Sequence, residues 1–112
     1  VQWTSWGVLM ANSNPPKKNQ AFVTYVCVRD ATDNLSLKST PTIAAGDFKI
    51  SKDGGAFANL TTLPTNTPAS TVSIKLDLSA TEMNADNVLI TWIDQTSTKE
   101  WADGWLEINT TA

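Results

Sequence analysis

Histidine is absent from the chain, which removes every mechanism that needs an imidazole base or metal ligand. Cysteine occurs once, as Cys27. No internal disulfide can form, and a nucleophilic thiol there would lack its usual base. Flanked by Val26 and Val28, Cys27 reads as a structural thiol that packs as a small hydrophobe. Acids lie near one another at Asp30 and Asp33, and again at Glu100, Asp103 and Glu107. Paired carboxylates can cleave a glycosidic bond or bind calcium. The run Asp30-Ala31-Thr32-Asp33-Asn34, however, is turn chemistry, with Asp and Asn side chains bonding to nearby amides. It also lacks the spacing and terminal Glu of a calcium-binding helix–loop–helix. Asp53-Gly54-Gly55 lacks the Lys-Ser/Thr pair and following helix of a phosphate loop and is read as a hairpin turn. Lys17 and Lys18 are adjacent in a proline loop, the other basic residues are scattered, and the net charge is −3. That balance gives no drive toward nucleic acid or acidic membranes. No catalytic residue, metal ligand or cofactor is assigned, and the chain is not expected to be an enzyme.

The informative excess is in tryptophan, of which there are five. Trp92 lies within an apolar strand and is assigned to the core. Trp3, Trp6, Trp101 and Trp105 fall near the two ends of the chain. Tryptophan buries a large area, is enriched at interface hot spots and stacks on sugar rings. These four rings are therefore candidate partner or glycan contacts, with closure of one end of the core as the plainer reading.

Strands must position them. Residues 3–10 (WTSWGVLM) alternate, and 12–20 form a loop in which Pro15 and Pro16 stop any strand. Phe22 to Arg29 is β-branched and aromatic on both faces, which predicts a central strand covered on each side. Leu35 to Lys38 is a candidate short strand. Asp47 to Lys52 alternates with Phe48 and Ile50 inward, Asp53-Gly54 turns the chain, and Ala56 to Leu60 returns. Residues 61–70 form a polar loop. Thr71 to Leu78 alternates, with Val72, Ile74, Leu76 and Leu78 inward. Ser79-Ala80-Thr81-Glu82 has the form of a capping box, which predicts a short helical turn near residues 80–86. Asn87 to Asp94 is a second strand apolar on both faces. Glu100 to Ile108 closes the chain, broken at Asp103-Gly104.

About seven to eight short strands at regular spacing, with one helical turn before the last long pair, predict an all-β, antiparallel immunoglobulin-like sandwich. The 112 residues suit a single domain over 1–112. Hydrophobic residues make up 41% and charged residues only 17%, so the surface is polar but weakly charged. No apolar run approaches the roughly 20 residues of a membrane span, and no basic-then-apolar leader opens the sequence.

The run from Gly46 through Ser51-Lys52-Asp53-Gly54-Gly55 to Leu60, followed by Lys75 through Ser79-Ala80-Thr81-Glu82-Met83-Asn84 to Ile90, resembles the small immunoglobulin-like modules of tailed-bacteriophage structural proteins. The likeness spans roughly residues 46–108. The loop at 61–70 lacks the Gly–aromatic pair of that pattern, and the Trp-rich N-terminal segment lies outside it. The resemblance implies a non-enzymatic virion component: a capsid decoration protein, a head fibre, or a tail or baseplate adaptor. Its partners would be neighbouring capsid or tail subunits and further copies of itself in a homo-oligomer, not nucleic acid or a membrane. A carbohydrate-binding module using exposed tryptophans is the alternative.

Overall fold

A computed structural model describes residues 15–112. The expected strand at 3–10, with Trp3 and Trp6, lies outside the described residues.

Among the described residues seven strands form two antiparallel sheets: β1 (Phe22–Val26), β2 (Phe48–Lys52), β3 (Ala58–Asn59), β4 (Thr65–Asn66), β5 (Ile74–Leu78), β6 (Asn87–Trp92) and β7 (Gly104–Asn109). One sheet has the order β1-β5-β4 and the other β3-β2-β6-β7. The chain crosses between sheets after β1, before β4 and after β5. This is the immunoglobulin-like arrangement, with β1, β5 and β4 in one layer and the β2–β3 and β6–β7 pairs in the other. No helix forms among the described residues, so none is long and apolar enough to cross a membrane.

Alternation builds the core. Ile74, Leu76 and Leu78 of β5 face Phe48, Ile50, Val88, Ile90, Trp92 and Ile108 of the other sheet in one buried cluster. Phe48 sits between two indoles, with ring centroids 5.6 Å from Trp92 and 5.9 Å from Trp101.

The turns follow the chemistry of their residues. Asp53 and Gly54 take φ of 50° and 76°, and the Gly55 amide donates to the Lys52 carbonyl at 2.9 Å. This is the primed hairpin turn that matches strand twist. Ser79 and Glu82 cap reciprocally: the Ser79 amide donates to Glu82 Oε1 at 2.9 Å, and the Glu82 amide to Ser79 Oγ at 3.1 Å. The Met83 amide then reaches the Ser79 carbonyl at 3.0 Å, but the next bond, from Asn84 to Thr81, is already a tighter one. The expected helical turn is thus a single capped turn that buries Met83.

Three expectations are corrected. β1 is not central. Among the described residues it pairs only with β5, which occupies the centre of its sheet. Val23 and Tyr25, on the outer face of that sheet, are exposed. Cys27 is exposed rather than packed, because it falls on the outward phase of the alternation that buries Val28. Leu35 to Lys38 forms only one isolated bridge, Arg29 to Leu37. The loop at 61–70 holds the two-residue β4, organised by Asn66, whose Nδ2 donates to the carbonyls of Thr71 and Ser73.

Carboxylates fasten the connections. Asp47 accepts from the amides of Ala44 and Gln95, Asp53 from Asp86 and Asn87, and Glu82 from Thr61. Asp94, buried at the end of β6, accepts from the Thr96 amide and hydroxyl and from the Glu100 amide. Burial alone would push the Asp94 carboxyl up. The bonds from Glu100, Thr96 and Trp101 outweigh it and hold the group below the ordinary carboxylate range. A depressed folded-state value stabilises the protein above the unfolded value of about 3.9 and ceases to as pH falls through the folded one. Asp94→Asn is therefore expected to lower the urea midpoint at neutral pH, with the difference from wild type shrinking as pH falls below about 4. A difference independent of pH would contradict this assignment.

Candidate partner-binding face

The strand β7 decides where the last two tryptophan-bearing segments point. Gly104, Leu106 and Ile108 are paired with Trp92, Ile90 and Val88 of β6, on the phase that faces the core. Gly104 has no side chain for a reason. A Cβ there would lie 2.7 Å from Cε2 of Trp92 and closer still to Nε1, so the indole rests on bare backbone. Trp105, the next residue, must then project from the opposite face, where it is 72% exposed.

That outer face has a definite layout. Lys49, Thr91 and Trp105 form one row across β2, β6 and β7, and Ser51, Leu89 and Glu107 form the next. Ile93, 41% exposed, continues the apolar stripe of β6. Leu89, Thr91, Ile93, Trp105 and Glu107 line an open groove of about 490 Å³. A smaller cavity of about 220 Å³, bordered by Cys27, Arg29 and Asn34, shares Trp105 with the groove.

Charge flanks the groove. Lys99 Nζ pairs with Asp103 Oδ1 at 2.8 Å, and Asn87 Nδ2 donates to Glu107 Oε2 at 2.6 Å. Lys49 stands exposed two strands away. The remaining candidate acids accept backbone amides. Asp30 accepts from the Thr32 amide. Asp33 accepts from the amides of Leu35 and Ser36, and these bonds lower its carboxyl. Glu100 Oε1 accepts from the Thr42 amide at 3.0 Å, across 58 residues of chain. Among the described residues no three His, Cys, Asp or Glu side chains are grouped to hold a metal.

The four candidate tryptophans thus divide. Trp3 and Trp6 lie outside the described residues. Trp101 is fully buried: its Nε1 donates to the Thr42 carbonyl at 3.2 Å and its ring packs on Phe48. It is a core residue and presents no surface to a partner. Trp105 alone of the described tryptophans is exposed. Trp92 is buried, as its strand implied. The sequence reading missed Leu89, Thr91 and Ile93. The signal was present: once Val88, Ile90 and Trp92 take the inward phase of NVLITWID, two aliphatic residues are left facing out.

No protein-family model matches the chain, and neither a curated protein nor a solved structure matches it.

Placing a methyl group under the Trp92 ring forces the ring or β7 to shift. Gly104→Ala is expected to destabilise the fold by about 1–3 kcal/mol, the usual range for overpacking, measured by urea unfolding. A neutral effect would contradict the Trp92–Gly104 contact. A shift in near-ultraviolet dichroism from the tryptophans is expected alongside it.

Proposed function

We propose that the chain is a non-enzymatic structural component of a tailed-bacteriophage virion that docks on neighbouring capsid or tail subunits through the outer face of its four-stranded sheet. The likeness at 46–60 and 75–90 supports the virion assignment, and the immunoglobulin-like sandwich agrees with it. The observation that carries the docking role is Trp105, 72% exposed beside exposed Ile93 and half-buried Leu89. A large aromatic ring on an aliphatic stripe, with charged residues at its margins, has the composition of an interface centre with a polar rim.

Glycan binding is the second reading. The same ring offers a stacking platform, and Thr91, Asp103 and Glu107 place a hydroxyl and two carboxylates around it. Trp101 drops out of that reading because it is buried.

Mass spectrometry of particles purified from the phage whose genome carries this reading frame tests the proposal. The protein is expected in intact particles. Trp105→Ala is expected to remain folded and to weaken attachment by tenfold or more, on the order of a single hot-spot loss. Absence from particles overturns the virion role. Binding on a glycan array that disappears with Trp105→Ala, together with absence from particles, establishes the second reading instead.

A further inference from the structure

We infer that the outer face of β2, β6 and β7 binds a second copy of the same chain, packed face to face about a twofold axis that runs along β6. This deepens the docking reading above and rests on it. A face binds itself when the rotation brings unlike features together, and the register supplies that condition. Rotation about β6 sets β2 of one copy over β7 of the other, because the two strands are the immediate neighbours of β6 on either side. Lys49 and Trp105 occupy the same row, joined through Thr91. Each ammonium is therefore brought over the exposed indole of the other copy, beside Glu107. A lysine over a tryptophan face with a carboxylate at its edge gains from cation–π attraction and from charge pairing. Along the axis Leu89 and Ile93 meet their own counterparts, so apolar surface covers apolar surface. Other in-plane axes do less well: one perpendicular to the strands through the Trp105 row places Glu107 against Asp103, acid on acid.

The size of the face sets the strength. The three strands β2, β6 and β7, spaced about 4.8 Å apart and each about 18 Å long, present roughly 260 Å². A standard interface covers about 800 Å² per partner. The isolated dimer is therefore weak, and several copies held on one particle would raise its occupancy through effective concentration.

Sedimentation velocity from micromolar to millimolar protein tests this. Wild type is expected to shift from monomer to dimer across that range, less so at high salt. Trp105→Ala leaves only monomer. Lys49→Glu and Glu107→Lys each weaken the dimer about tenfold, and mixing the two variants restores it, since each supplies the charge the other lost. All three positions are exposed, and unchanged melting temperatures confirm that each variant folds. A wild type that stays monomeric throughout overturns the inference, as does a mixture no tighter than its components. Monomeric protein that is nevertheless found in particles overturns the dimer and leaves the virion role standing. A dimer formed by a protein absent from particles does the reverse.

Discussion

The missing side chain at Gly104 is the constraint on which the exposed face depends. The Trp92 indole lies where a Cβ would be, so β7 must start with its bare backbone turned inward. Burying an indole of this size is worth up to about 4–6 kcal/mol in removed apolar area, which fixes the phase of the strand. With a period of two, a slip of one residue would bring Trp105 into the core and leave Leu106 outside. The register of six paired residues between β6 and β7 follows from that contact, and the placement of Trp105, Glu107 and Asn109 follows from the register.

A second layer of control lies in the loops. Buried carboxylates accept backbone amides outside the strand ladders, and Asp47 and Glu82 each tie segments distant in sequence. Asp94 folds the connection between β6 and β7 back on itself by holding the Glu100 amide. This carries Trp101 under the sheet to meet Phe48. Core and face are therefore coupled: the loop that buries Trp101 delivers Trp105 to the surface four residues later. In energetic terms the acids here substitute for secondary structure, which explains why most of those singled out for possible chemistry proved to be bound to amides instead.

Much of the fold could be read from the sequence, for physical reasons. The alternation of Thr71 to Leu78, the Asp53-Gly54 turn and the Ser79–Glu82 cap are local signals; the turn and the cap form as expected, and the alternation is realised over Ile74 to Leu78, the strand starting three residues later than expected. The position of β1 was not legible in the same way. An apolar strand at an edge and one at a centre have the same composition, and only long-range pairing separates them. Trp101 and Trp105 show the same limit more sharply. They are four residues apart in one segment, and the irregular stretch between them, Ala102 and Asp103, breaks the parity that would have sorted them. What sorted Trp105 was its neighbour Gly104, a residue whose meaning depends on a ring from another strand. The proposed docking face was half legible. Its aromatic anchor was named from the sequence, whereas its aliphatic floor on β6 was hidden within a run read as wholly buried.

Hydroxyl-radical footprinting of the free and the particle-bound protein separates Trp105, proposed as a surface anchor covered on assembly, from Trp92 and Trp101 of the core. Rapid oxidation of Trp105 in the free protein is expected, with strong protection of it in the particle and little labelling of Trp92 or Trp101 in either. Equal oxidation of Trp105 in both states, or ready oxidation of Trp101 in the free protein, would contradict that expectation.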